Sequence, residues 1–187
     1  VLDDSGAEPF DGESSFYESS PTAERKFLTG EWGARAKTSP KWWHLSFAVI
    51  HRGETVGMQD ITGIEFPTVR TVNSFSWLAR SSRGAGLGKE MRIAILHLAF
   101  EGLGALRAES DAFDDNAASQ GVSRALGYVP NGSLLASRPS GGATMSRFLM
   151  TREMWRSSSM SARSDVKVSG LAPCLGLLGI DESAERF

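Results

Sequence analysis

Residues 71–102 read TVNSFSWLARSSRGAGLGKEMRIAILHLAFEG, and their order decides the architecture. Thr71 to Ala79 is rich in β-branched and aromatic residues, the composition of a strand. Lys89 to Gly102 is apolar at helical spacing, with Met91, Ala94, Ile95 and Leu98 on one face. Between them lies the turn Arg83-Gly84-Ala85-Gly86-Leu87-Gly88-Lys89. Strand, glycine turn and helix in that order aim several backbone N–H groups at one point, with the positive end of the helix dipole behind them. Glycine matters there, because a side chain would hold a phosphate off the amides and would disfavour positive φ. The stretch reads as the seat of a phosphorylated cofactor.

Three phosphate loops compete for it. A Walker loop needs a glycine five residues before its Gly-Lys pair and a Ser or Thr after it, whereas position 83 is Arg and position 90 is Glu. The dinucleotide fingerprint G-x-G-x-x-G is met by Gly84 and Gly86 but broken at Lys89. The pattern Arg/Gln-x-x-Gly-x-Gly fits Arg83, Gly86 and Gly88 in register. A plain flexible connector is the alternative for the loop taken alone. Downstream, Ala105 to Asp111 reads as a strand. A second helix opens at Asp115-Asn116, with Asp115 as N-cap, and stops at Gly127-Tyr128, where Gly127 suits a left-handed helix end. Asn116, Ser119, Val122, Gly127 and Tyr128 form the series Asn-x-x-Ser, then Val, then Gly-Tyr.

Loop, strand, Asn-x-x-Ser helix and Gly-Tyr stop, in that order, resemble the GNAT family of acyl-CoA N-acyltransferases. The resemblance runs from about Trp43 to Trp155 and is nearest to the ribosomal-protein N-terminal acetyltransferase branch (RimJ/RimL type). Within that branch it is most similar to actinobacterial members, including in QDITGIEF and the tail GLAPCLGLLG. It implies an α/β fold with a mostly antiparallel mixed sheet and helices on both faces. It also implies acetyl-CoA or another acyl-CoA, such as succinyl-CoA, as cosubstrate, a primary amine as acceptor and no metal. The acceptor is a protein N-terminus or a small molecule, an antibiotic or a metabolite amine. The family's opening strand and helix have no convincing counterpart before the acidic segment, so the first strand is expected to be missing or its edge covered.

Acyl transfer from a thioester to an amine needs a positioned acyl-CoA, a neutral amine, a donor for the oxyanion and a thiolate that can leave. The resemblance assigns the pyrophosphate to Arg83 and the amides of residues 84 to 89: Gly84, Gly86, Leu87, Gly88 and Lys89 with their neighbours. It assigns the pantetheine to the preceding strand, splayed from the next, around Leu78 and Arg80. A backbone N–H around Leu78 is the expected oxyanion donor. Leu78 also reads as core, and Arg83 as a surface cation. Many members protonate the thiolate with a Tyr that stands here as Ser123; the RimL branch uses the Ser of Asn-x-x-Ser, here Ser119. The two serines share a helix face. A thiol of pKa near ~8.5 leaves readily enough for a hydroxyl or a water to suffice. Asn116 caps the helix and is placed to bond the cofactor. The branch's general-base Glu falls on Arg138, which cannot accept a proton. Asp60 is the substitute, with Glu109 and Asp111 as alternatives, and a solvated strand-end carboxylate is the rival reading of Asp60. His44, His51 and His97 lack metal spacing, and Cys174 reads as buried packing.

At 187 residues the chain reads as one domain with tails: an acidic segment over 1–20, the acyltransferase domain over 21–156, and a polar linker with an apolar tail over 157–187. No apolar stretch reaches the ~20 residues of a membrane span. The acidic opening VLDDSGAEPFDG is no secretory leader, and one cysteine fits a reducing cytoplasm. With 20 basic and 22 acidic residues and no basic stripe, nucleic acid is not an expected partner. Residues 1–24 hold seven carboxylates and no Lys or Arg, either a solvated arm or an acidic wall beside a cationic amine.

Ser20-Pro21 starts a helix to about Lys37, with Phe27, Leu28 and Trp32 inward. Trp43–His51 and Glu54–Ile61 form a hairpin around Arg52-Gly53, joined by Thr71–Ala79 as a third antiparallel strand. Tyr128–Arg138 and Thr144–Trp155 form a last strand pair. The apolar tail 166–180 must pack on its own sheet or on a second subunit, and a homodimer is the expected assembly. Direct transfer in a ternary complex is expected. The rival is a catalytically weak acyl-CoA-binding or interaction module, which the missing Tyr and the Arg in place of Glu support; the broken Walker pattern disfavours a phosphotransferase.

Overall fold

The computed structural model describes residues 22–138 and 141–181. Helix α1 (Thr22–Ala36) precedes an antiparallel hairpin of β1 (Trp42–His51) and β2 (Glu54–Ile64). Its turn is Arg52-Gly53, both at positive φ (53° and 83°), the two-residue geometry whose twist matches that of the strands. The short helix α2 (Phe66–Val69) leads to β3 (Thr71–Leu78), antiparallel to β2. Helix α3 (Leu87–His97) continues as a wider π turn to Gly102 and returns the chain to β4 (Arg107–Phe113), parallel to β3. Helix α4 (Ala117–Ala125), strands β5 (Val129–Arg138) and β6 (Gly141–Thr151) and helix α5 (Arg152–Arg156) follow. The six strands lie in the order β1-β2-β3-β4-β6-β5, and β3–β4 is the parallel pair. This is the mixed, mostly antiparallel sheet expected from the sequence.

The core lies between the sheet and α3. Trp43, fully buried, packs edge-on against Phe66 at 5.3 Å and lies flush on Gly63, where a Cβ would sit 2.3 Å from the indole. The helix after the glycine turn is buried almost all round: Met91, Arg92, Ile93, Ile95, Leu96 and His97 are covered, while Ala94, expected inside, is exposed. His97 is a satisfied core group, with Nε2 3.0 Å from the Met160 carbonyl and its ring edge-on to Trp155.

Other expectations are corrected. Phe27, Leu28 and Trp32 of α1 face outward, Trp32 at 60% exposure. The cap of α4 is Asn116, whose side chain accepts from the Ser119 amide at 3.0 Å, in place of Asp115; Gly127 (φ 84°) follows the helix end as expected. The last strand stops at Thr151, and Trp155 belongs to α5. The tail folds back on its own domain: Leu175 and Leu178 are buried, and Gly179 abuts Pro40 and Pro67. An apolar surface that a partner subunit would have to cover is therefore no argument for a dimer. Cys174, expected in the packing, is exposed. The Ser20-Pro21 start and the acidic residues up to 20 lie outside the described residues.

Candidate active site

β3 and β4 pair only over Thr71–Asn73 against Arg107–Glu109; beyond Asn73 and Glu109 no rung joins them. Two neighbouring strands thus part towards the Leu78 and Phe113 ends, leaving backbone groups of both facing a slot. The glycine turn sits at that end. After Leu78 the chain makes a 3₁₀ turn over Arg80–Ser82, and Gly84 and Gly86 take positive φ (76° and 84°). The amides of Gly84, Ala85, Gly86 and Leu87 have no acceptor among the described residues, whereas those of Lys89 and Glu90 bond back to the Gly86 carbonyl. The free donors therefore end short of Lys89. Gly88 lies where α3, α4 and β3 converge: a Cβ there would meet Val122 at 3.6 Å and Leu78 at 3.8 Å. Arg83 folds back, Nε donating to the Leu78 carbonyl at 2.9 Å, and so closes the turn. Arg80 is exposed beside it.

Alternation along β3 puts Ser74 and Ser76 on the face that carries α3, and Asn73, Phe75 and Trp77 on the other. On the α3 face, Ser119 is half-buried and Ser123 fully buried with its hydroxyl unpartnered. Tyr128 is buried nearby; burial pushes its phenol pKa up, against the pull of the Arg92 guanidinium. Asn116 is committed to its cap through its side-chain oxygen.

Asp60 lies on the opposite face and is 5% exposed, so it is not a solvated strand-end carboxylate. Its Oδ1 accepts the Phe75 N–H at 3.0 Å, and its Oδ2 is 3.4 Å from His44 Nε2. His44 also contacts Thr62 Oγ1 through Nδ1 (3.0 Å) and Ser46 Oγ through Nε2 (2.9 Å). Sequence reasoning passed over His44. Glu109 and Asp111 share this face but both pair with Arg147, at 2.9 Å and 3.3 Å. Arg138, which falls where the resemblance implies a base, pairs with Asp115 at 2.7 Å, which holds that carboxyl below the usual range, and lies over the Phe113 ring. Among the described residues no group of three or more His, Cys, Asp or Glu side chains could hold a metal, and no helix is long and apolar enough to cross a membrane.

The glycine turn and the parted strands thus meet at one end of the slot, with Asp60 and His44 across the sheet. A structure from T. thermophilus assigned to the acetyltransferases is 25% identical, covers 78% of this chain and 77% of its own, and superposes with a TM-score of 0.64. Mycobacterium smegmatis RimJ in complex with CoA-disulfide gives 21% identity, 75% and 66% coverage and 0.64. RimL, a ribosomal-protein α-N-acetyltransferase in complex with coenzyme A, gives 19%, 74% and 76%, and 0.62. The family profile described as an acetyltransferase (GNAT) domain matches residues 10–129, and the chain therefore belongs to the GNAT acetyltransferase family.

Proposed function

We propose that the protein transfers an acyl group from acyl-CoA to a primary amine by direct attack in a ternary complex. The observation that carries this reading is the parting of β3 from β4 beside the partnerless amides of Gly84 to Leu87. The residues fit the cosubstrate: amides for a pyrophosphate with no Cβ at Gly84 and Gly86, the cations Arg80, Arg83 and Lys89 around them, and an unpaired strand edge for pantetheine to join as an added strand. When bound, acyl-CoA supplies a thioester whose C–S bond is exchanged for an amide C–N bond, releasing free CoA thiol. Leu78 and its neighbours offer the backbone N–H for charge building on the thioester oxygen. Ser119, half-buried at the start of α4, is the donor to the departing sulfur, with Ser123 below it. Asp60 is the base, directly or by orienting His44 to take the ammonium proton. The acceptor is a protein N-terminus or a small amine. A cytoplasmic setting goes with this reading, as does a homodimer formed at the β1 end of the sheet.

An acyl-CoA by amine screen for thiol release tests it. At least one amine should raise release above the rate of hydrolysis. Ser119→Ala should lower kcat more than it weakens cofactor binding, and Ser123→Ala should lower it less. CoA binding without release for any amine would leave the binding-module reading in its place.

A further inference from the structure

Arg92, on α3, is a buried cation at 3% exposure that meets no carboxylate among the described residues. Its Nη1 donates to Ser110 Oγ at 2.7 Å, its Nη2 lies 3.5 Å from Ser76 Oγ, and its Nε has no partner. The Tyr128 ring faces the guanidinium at 5.9 Å. Ser74 Oγ and Ser123 Oγ are also buried with no hydrogen-bond partner among the described residues, and the buried Tyr128 hydroxyl lies near enough to Arg92 and Ser74 for both to pull its pKa down against burial. Among the described residues no carboxylate pairs with Arg92. Uncompensated burial of a guanidinium is costly, and hydroxyls alone do not neutralise it.

Its position gives the cluster a use. Asn73 and Glu109 make the last rung between β3 and β4. Arg92 bridges the two strands just beyond it, bonded to Ser110 on one and reaching Ser76 on the other. It therefore stands at the inner end of the slot that the acyl-CoA reading assigns to pantetheine. Leu78 and Ser76 are two residues apart, about 6.6 Å at ~3.3 Å per strand residue. A four-carbon chain spans roughly 4 Å from C1 to C4, and a charge-assisted hydrogen bond adds about 2.8 Å. An acetyl group ends at its second carbon and carries no charge, while a four-carbon acyl chain with its carboxylate oxygen extends far enough from Leu78 to reach the level of Ser76, whose Oγ is 3.5 Å from the Arg92 guanidinium.

Resting on that reading, we propose that Arg92, with Ser76 and Ser110, receives the distal carboxylate of the acyl group, so that the donor is an ω-carboxyacyl-CoA of the succinyl class. The hydroxyls orient the guanidinium, and the carboxylate supplies the missing negative charge.

Calorimetric binding of free CoA, butyryl-CoA and succinyl-CoA to the full chain tests this without relying on turnover. Butyryl has the same number of acyl carbons and no charge. Succinyl-CoA should bind at least about tenfold more tightly than butyryl-CoA, the effect of one charge-assisted pair in a buried site. Arg92→Met should abolish that preference and keep the affinity for free CoA, while Arg92→Lys should retain part of it. Ser110→Ala should narrow the preference, and this remains readable if Arg92→Met does not fold. Equal affinities of the unmutated chain for the two thioesters would overturn the proposal and assign the cluster to water. Failure of CoA itself to bind would overturn the acyl-CoA reading, and this one with it.

Discussion

At the C-terminal end of α3, Arg152 is 5% exposed and donates to the Ala105 carbonyl at 2.9 Å and the Phe100 carbonyl at 3.3 Å. Arg70 does the same for Gly104 at 2.9 Å, and the Trp155 indole N–H donates to Glu101 at 2.7 Å. In the N-terminal half of the same helix, Arg92 is as deeply buried but meets the Ser110 and Ser76 hydroxyls and the Tyr128 ring, where β3 and β4 have parted. One end has its polar groups closed by the chain's own acceptors. At the other, the described residues offer the cation no carboxylate. Burial alone therefore does not distinguish a structural arginine from a binding one; the nature of its partners does.

The comparison breaks most easily at the closed end. Arg152→Met leaves two buried carbonyls without donors. It should cost about 3 kcal/mol and lower the melting temperature by roughly 6–12 °C, with CoA affinity of the folded protein unchanged. An unaltered melting curve would put Arg152 in the same class as Arg92. At the open end, Gly86→Val forces a branched side chain to φ 84° and over the free amides. CoA affinity should fall by at least about a hundredfold, ~2.7 kcal/mol, while circular dichroism stays native. Wild-type affinity would remove the loop from the cofactor site.

Smaller and opposite in sign is Arg92→Met without ligand. Exchanging an unneutralised buried cation for an apolar chain should leave stability unchanged or raise it by about 1 kcal/mol, and a clear loss in thermal melts would show that Arg92 is structural after all. The smallest effect belongs to an arginine of the same helix region that stays in water. Arg163 pairs with Glu90 at 2.9 Å and with Asp165, and holds the Asp165 carboxyl at about 2. A carboxylate with a lowered folded pKa stabilises above its unfolded value and loses that contribution as pH falls towards 2. The pair is exposed, so Asp165→Asn should shift the neutral-pH melting temperature by no more than a degree or two, with the difference vanishing near pH 2.

Some of this was legible in the residues and some was not. The Arg83–Lys89 turn and the Gly127 helix stop declared themselves because φ preference is decided within a few residues. The face of α3 misled: an amphipathic pattern assumes one dry side, whereas packing against the sheet, α4 and the returning tail buries the helix nearly all round. The His44–Asp60 pair was hidden by one residue. Counting back from the Arg52-Gly53 turn sets Ser46 opposite Gln59, but an irregularity at Val49/Ile50 shifts the register to Asp60 and brings His44 to the same face.

By itself the sequence determined the hairpin turn, the glycine turn, the Gly127 helix stop and the order of the six strands, since these follow from local backbone preferences and from periodicity over short windows. Only the tertiary structure decided where β3 leaves β4, which cations lose their water, and whether the apolar tail covers its own core. Each of those depends on which distant segment arrives to supply or deny a partner, and no local preference encodes that.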